Sequence, residues 1–549
     1  MSKLSKAVSE MNQINSLRLD ETVKNFMNGD SYVINPLDTL KMITASSIFG
    51  EPSYYRGGKR SGRYSVNDFV KDFSVLPKEY ENVNTEEVME KAIDKALDYD
   101  FNGTLEWAVT LRNDYFMRLN PQVIMVRAAV HPKRKEFSKE NPGKFDKINQ
   151  QVMSRADEPM SQMSYYLYTN NGKKNNIPSI LKRSWANRIS NIGKYQMNKY
   201  KNHEIGMINA VRLCHAHSKV IDELMQTGTI SVSDDDKTWE NLRSAGKSWK
   251  EIFETVNMGH MAMLRNIRGV FTEVDDIEFC KQYMQKIKDT VIGSKQFPFR
   301  YYSALKAVNN SNCNHKPIII DALEECMDIA LANYPKLKGK TMCLSDNSGS
   351  AWGTFNSEYG TVTVADIDNL SSVITAACSD EGYVGKFGDK LVVTPVSKRH
   401  GVLNQANKIS SNKYNDVGGS TEGGIWEFFK NAIDKKEHWD NIFIYSDQQA
   451  GHGGLYGTGA HKVQYNKLGF GCGRYGYGSD MINVFKLVRE YRKKVNPKVN
   501  VFSIQTAGYD NVVIPEYAYR TNIMYGWTGN EAVFAKAMIN QWDDIENRN

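Results

Sequence analysis

The pattern of the chain changes near Tyr334-Pro335, and no single core can serve both sides of the change. Upstream, amphipathic helical stretches are separated by Pro, Gly or Asn. Downstream of Lys338, short β-rich runs ("KTMCLSD", "DKLVVTPVS", "DNIFIYSD", "NVFSIQ") alternate with helical ones ("ADIDNLSSVITAACSD", "GGIWEFFKNAIDKK", "MINVFKLVREYRKK", "NEAVFAKAMINQW"). Strands alternating with helices over this span imply a doubly wound parallel sheet. At 549 residues the chain exceeds what one hydrophobic core holds together, so two domains are expected, residues 1–337 and 338–549.

The upstream part reads as paired helices. "NPLDTLKMITASSIFG" begins after Asn35 with Pro36 in the first turn and places Leu37, Leu40, Met42 and Ile43 at helical spacing. "TLEWAVTLRNDYFMR" sets Leu105, Ala108 and Leu111 on one face, and a second apolar helix, "QVIMVRAAVHP", follows Asn120-Pro121. No strict repeat period is visible, but the recurrence suits an irregular helical solenoid. Residues 231–250 read as an acidic loop followed by a helix.

Charge singles out one region. The formal net charge is +7, of which +6 falls in residues 1–337. From Pro159 to His203 there is no acidic residue, while Lys173, Lys174, Lys182, Arg183, Arg188, Lys194, Lys199 and Lys201 are all basic. A solvated helix face ordinarily mixes both signs. Cations of one sign interleaved with Tyr165, Tyr166, Tyr168, Trp185, Tyr195 and Tyr200 suit phosphate contact plus base stacking. The alternative is a plain basic surface.

Downstream, "CLSDNSGS" at 343–350 places Asp346, Ser348 and Ser350 in one tight turn at the end of the first predicted strand, where a ligand site belongs. "DVGGSTEGG" offers Thr421, with Ser420 as its alternate, just before the helix "IWEFF", and "FIYSDQQ" ends an apolar strand with Asp447. Small oxygen ligands from three loops at one sheet edge suit a hard divalent cation, Mg²⁺ being the expected one. The alternative is that Asp346 and the serines only cap the next helix. Two carboxylates leave such a cation undersaturated in charge, so an anionic group of a partner is its natural remaining ligand.

Other features constrain function by what they lack. Seven scattered cysteines without CxxC suit reduced thiols, no signal-like apolar stretch opens the chain, and a cytoplasmic protein without membrane spans is expected. "CHAH" at 214–217 and "CNH" at 313–315 have no partner pair at zinc-finger spacing. No Ser-His-Asp order, acid-base carboxylate pair or Walker loop points to an enzyme. A Gly- and Tyr-rich stretch at 448–480 includes GxGxxG at Gly471, Gly473 and Gly476, a weak signal without a preceding strand. It is expected to form a loop beside the metal site.

Taken together, the motifs resemble a known family. "NPLDTLKMITASSIFGEPSYYR", "AVTLRNDYFMRLNPQVIMVRAAVHP", "KYQMNKYKNHEIGMINAVRLCHAH", "MLRNIRGV" and "PFRYYSALKAV" are similar to successive motifs of the TROVE module, across most of residues 15–310. Asp346, Ser348, Ser350, Thr421 and Asp447 resemble the metal-ion-dependent adhesion site of von Willebrand factor A domains. TROVE followed by such a domain is the order found in Ro-type RNA-binding proteins. The resemblance implies an α-helical, HEAT-like repeat ring closed by the A domain. It implies small structured Y-type RNAs on a basic outer surface and single-stranded ends of misfolded noncoding RNAs in the channel. Lys199 and Lys201 match the family's RNA-contacting segment, with His203 nearest to its histidine. Arg112, Arg118, Arg127 and Arg265 lie in family-like motifs and are candidates for the channel, internal ion pairing being the alternative. A noncatalytic, monomeric RNA binder is therefore expected, with a nuclease or another protein docking at the metal site. The competing readings are a metal-dependent protein-interaction scaffold and a metal-dependent nuclease.

Overall fold

Asn35 caps the helix Pro36–Thr44, its side chain accepting a hydrogen bond from the Asp38 amide at 2.8 Å, and Pro36 occupies the first turn where its missing N–H is no loss. This is the start that the sequence predicts. The computed structural model describes residues 22–24, 30–32, 35–45, 85–202, 205–231, 237–332, 334–353, 363–413, 415–419, 422–446, 471–475, 479–482, 484–506, 520–525 and 529–548. They form two compact units. One comprises Glu90–Gln296 with Ala304–Cys326; the other comprises Met1–Met89, Phe297–Ser303 and Met327–Asn549.

The first unit is helical throughout its described residues. Asp100 accepts from the Gly103 amide and starts α1 (Phe101–Asn113), whose Leu105, Ala108 and Leu111 are fully buried. α2 (Leu119–Val130) packs on α1 and is enclosed on nearly all sides, with Val123, Ile124, Met125, Val126, Ala128 and Ala129 buried. It stops at His131, which precedes Pro132 and is extended, the conformation a following proline favours. α3 (Lys144–Val152) packs on α1, and α4 (Glu158–Thr169) on α2. α5 (Ser179–Ser190) and α6 (Lys194–Tyr200) carry most of the acid-free stretch, and α7 (Met207–Cys214) packs on α5. A buried amide network holds the centre: Gln162 donates to Gln122 and Asn149, and Trp185 donates to Gln162. Downstream of the acidic segment two short helices, Trp239–Ser244 and Trp249–Thr255, each begin with a capping box, and α8 (His260–Glu273) and α9 (Ile277–Asp289) pack together after them.

The second unit is built on a six-stranded mixed sheet: β1 (Leu337–Asp346), β2 (Ser379–Phe387), β3 (Leu391–Pro395), β4 (Asn441–Ser446), β5 (Asn500–Gln505) and β6 (Thr521–Tyr525). Their spatial order is β6-β5-β4-β1-β2-β3, parallel except for the antiparallel pair β2–β3. The sequence reading of a wholly parallel sheet is corrected at this edge, where the three-residue connection from Phe387 to Leu391 is far too short for a crossover helix. β4 is buried at every residue, as a central strand covered on both faces must be. α10 (Val364–Ala377) packs on β1, β2 and β4. α12 (Glu422–Asp434) and α13 (Val484–Lys494) share a core of Phe429, Trp439, Ile442, Ile444, Val488 and Tyr491; α11 (Val402–Ser410) packs on α10. α14 (Glu531–Arg548) ends the chain, and the helix Pro36–Thr44 packs on β6. Strand order reverses direction at β1, with β2 on one side and β4 on the other. The carboxyl ends of β1 and β4 are thus a topological switch point, where α/β sheets bind ligands.

Candidate functional site

Asp346 is the last residue of β1 and Ser446 the last of β4; both are fully buried. The Ser446 hydroxyl donates to Asp346 Oδ2 at 2.6 Å, and the Ser348 amide donates to Asp346 Oδ1 at 2.9 Å. The turn between them is held from below by amides. Asn347 and Asn369 exchange two hydrogen bonds, Nδ2 to Oδ1 at 2.8 Å and 3.0 Å, and Ser345 adds its hydroxyl to Asn369 Oδ1. Asn369 in turn donates to Ser410, so α10 and α11 both support the turn.

The loop carrying the second predicted segment is attached through the backbone. The Gly349 amide donates to Gly419 O at 2.8 Å, Lys390 N to Val417 O, and Gly424 N to Gly388 O. The glycines of "DVGGSTEGG" have a steric reason: a Cβ on Gly418, which has φ +83°, would strike the Asp389 carboxyl, and one on Gly423 would strike the Asp389 backbone. This stretch, expected to supply ligands, also uses its glycines to let two backbones interleave.

Of the five predicted metal ligands, Asp346 and Ser348 are thus brought to one buried turn. The Ser350 side chain, Thr421 and Asp447 lie outside the described residues, as does the alternate Ser420. Their chain neighbours Gly349, Gly419 and Ser446 converge on the Asp346 turn. The donor chemistry fits a hard cation, being oxygen alone. Among the described residues no group of three or more His, Cys, Asp or Glu side chains could hold a metal, and Cys214 and Cys313 are buried free thiols. Ser446 and Asn369 escaped the sequence reading; Ser446, directly before a strand-end Asp, was the available signal. Of the GxGxxG, Gly471 and Gly473 lie within a strand (Gly471–Tyr475) paired antiparallel with Ser479–Ile482, not at a strand-to-helix turn. Gly476 lies outside the described residues.

In the helical unit the acid-free stretch forms an exposed, cationic surface. Lys173 and Lys174 are exposed on a turn that Asn170 organises by donating to Lys173 O and Asn175 O. Arg183 is exposed and Lys182 half-buried on the outer side of α5, opposite its buried Leu181, Trp185 and Ile189. The Lys199 ammonium lies 5.8 Å and 5.6 Å from the rings of Tyr195 and Tyr200. Among the described residues only Lys194 of the eight cations forms an ion pair, with Glu223 at 3.0 Å; Arg188 instead donates to Ser154 O. Lys201 is half-buried and His203 lies outside the described residues.

The four channel candidates divide. Arg112 is buried and pairs with Glu158 at 2.8 Å; Arg118 pairs with Asp157 at 2.6 Å. Burial raises the Glu158 pKa against the pull of Arg112, whereas Arg118 and Arg155 overcome burial and lower that of Asp157. Arg127 pairs with Asp94 and Glu90 and donates to Tyr165; burial opposes its charge, but these partners outweigh it and its pKa is raised. For these three, internal pairing is the arrangement present. Arg118 and Arg265 are exposed, and Arg265 alone of the four is, among the described residues, without an ion pair.

Residues 233–318 match the TROVE domain family model, a narrower span than the motif resemblance over 15–310. That segment is where the chain is similar to the TROVE domain. The fold of the chain is similar to that of the Ro (RSR) protein of Deinococcus radiodurans, at 12% sequence identity, covering 92% of this chain and 99% of that one with a TM-score of 0.58. The chain thus carries a TROVE-like segment at 233–318 within a fold similar to that of the Deinococcus protein. No curated protein matches the sequence. No helix among the described residues is long and apolar enough to cross a membrane.

Proposed function

We propose that this chain is a noncatalytic RNA-binding protein of the Ro type, a cytoplasmic monomer that holds small structured noncoding RNA on the cationic surface of α5, α6 and the 170–176 turn. The observation that carries the reading is charge without compensation: eight cations in a stretch devoid of acids, one of them ion-paired among the described residues. Such a surface attracts phosphates, and Tyr195 and Tyr200 beside Lys199 add rings for base stacking. The TROVE match and the Ro-type fold support the RNA-binding class.

The helical unit is read as HEAT-like repeats whose channel takes single-stranded ends of misfolded RNA. The α/β unit is read as a von Willebrand A domain whose Asp346, Ser348, Ser350, Thr421 and Asp447 would hold Mg²⁺. When bound, that cation offers an open position for an anionic group. What this chain's own residues do is fix Asp346 through Ser446 and Ser348 and shield the turn from solvent. A role in noncoding RNA quality control or ribonucleoprotein scaffolding follows, with a nuclease or another protein as the anionic partner.

The test is to crosslink RNA to the protein in its native cell and sequence it, with wild type and a variant carrying Lys182, Arg183, Lys199 and Lys201 changed to Ala. Discrete structured RNAs that vanish in the variant support the reading. Background RNA, equal in both, rejects it in favour of a protein scaffold. Cleavage of labelled RNA in Mg²⁺ would reject the noncatalytic part.

A further inference from the structure

The antiparallel edge of the sheet carries a pocket that neither the switch-point site nor the cationic helices use. Val384 and Lys386 of β2 pair across with Thr394 and Val392 of β3, and cross-strand partners share a sheet face. These strand residues, the 396–401 loop and Asn404, Gln405, Lys408 and Ile409 of α11 line a cavity of about 820 Å³. Its apolar wall is Val384, the exposed Val392, and Ile409.

The polar lining is strongly one-signed. Lys386 is buried at the floor and its ammonium is matched by Asp416 at 2.7 Å. Arg399, His400 and Lys408 line the same space, all exposed, and none forms an ion pair among the described residues. Arg399 and His400 are not on a loose segment. Gln405 donates to Ser397 O and His400 O and accepts from the Ser397 amide, clamping the 397–400 turn to α11. The pocket is thus preorganised, with an excess of positive charge that no ion pair among the described residues neutralises.

Size and lining select the ligand class. The volume lies in the range of small-molecule sites and far exceeds a bare phosphate. An apolar wall beside two or three cations fits an anion with a flat, weakly polar body and a doubly charged end. We infer that this pocket binds a nucleoside monophosphate, the phosphate on Arg399 and Lys408 and the base against Val392 and Ile409. The same chemistry is presented by a free nucleotide and by the 5′-phosphorylated terminal nucleotide of an RNA strand. The inference is independent of the cationic helices, whose residues it does not involve.

The experiment is calorimetric titration of the full chain with adenosine 5′-monophosphate, adenosine, inorganic phosphate and a 5′-phosphorylated tetraribonucleotide. It is repeated with Arg399→Glu/Lys408→Glu, both surface positions, and with Val392→Asp. Expected is binding of the monophosphate above that of adenosine or phosphate, weakened at least about tenfold in the double variant with unchanged melting temperature. Tighter binding of the tetranucleotide than of the monophosphate also supports the site and assigns it to an RNA end. Absence of binding by both nucleotides at millimolar concentration, or equal binding by wild type and double variant, overturns it. So does capture of an acidic peptide with no nucleotide affinity.

Discussion

The Ser446 hydroxyl and the Asp346 carboxylate meet at 2.6 Å across the carboxyl ends of two parallel strands, linking positions 100 residues apart in the chain. Each ends its strand, so this one bond brackets the mouth of the switch point. Removing it should loosen the carboxylate without touching the hydrophobic layers. Ser446→Ala is expected to lower the stability of the α/β unit by about 1–2 kcal/mol, read by urea unfolding.

Magnesium should raise the melting temperature of wild type in a concentration-dependent way, because a ligand held only by the folded state stabilises it. Asp346→Ala should abolish that rise. A wild-type protein indifferent to Mg²⁺, Mn²⁺ and Ca²⁺ would dismiss the metal reading.

Arg112 and Arg127 should behave as structural cations. Arg112→Ala takes from buried Glu158 its closest cation and leaves it the Arg155 amide and Arg118 at 4.0 Å, a change expected to destabilise by about 3 kcal/mol. Arg265→Ala should leave stability within about 0.5 kcal/mol of wild type. If Arg265→Ala alone weakens RNA binding, the split between paired and unpaired arginines is the functional one.

Two buried groups should tilt stability in opposite directions with pH. Burial pushes the Glu531 carboxyl up to about 7, so the folded chain keeps a proton that the unfolded chain releases near its ordinary 4.5. Stability from this group therefore falls as pH rises from 4.5 to 7, by on the order of 3 kcal/mol, and Glu531→Gln should flatten that limb. Burial pushes His260 down to about 4, so the unfolded chain takes up a proton near 6.5 that the folded one refuses. Its contribution is lost as pH falls from 6.5 to 4, and His260→Gln should flatten the acid limb. Urea midpoints across pH 4 to 8 for both variants check the two signs.

Gly388→Ala should also disrupt the α/β unit. Its Cβ would strike Gly418 O, and the backbone there has no room to yield, so a loss of about 1–3 kcal/mol is expected in thermal unfolding.

Local signals were legible in the sequence and long-range partners were not. Asn35-Pro36 announced a helix start, Leu105, Ala108 and Leu111 a buried face, and Asp346 a strand end, because each rests on neighbours within a turn or two. α10 read as an amphipathic helix, yet Asp366, Asp368, Asn369, Ser372 and Thr375 are all buried, since the helix is enclosed on every side. The partners that make this tolerable come from elsewhere: Tyr302 for Asp366, Asn347 for Asn369, Tyr445 for Thr375. Arg127 likewise looked the same as Arg265 until Glu90 and Asp94 were brought beside it. The β3 reversal was hidden because "DKLVVTPVS" has the composition of any strand, and only the short connection before it tells direction.

The three loops at the switch point are joined mainly by peptide groups: Gly349 to Gly419, Asn347 to the Phe387 carbonyl, Gly424 to Gly388. Main-chain joints are indifferent to which side chains the intervening residues carry. The side chain of residue 348 could therefore change its oxygen donor while the backbone joints of the frame persist. Ancestry and chemistry are thereby separable at this edge: a descendant could lose or exchange the donors of the turn and still present the same backbone platform.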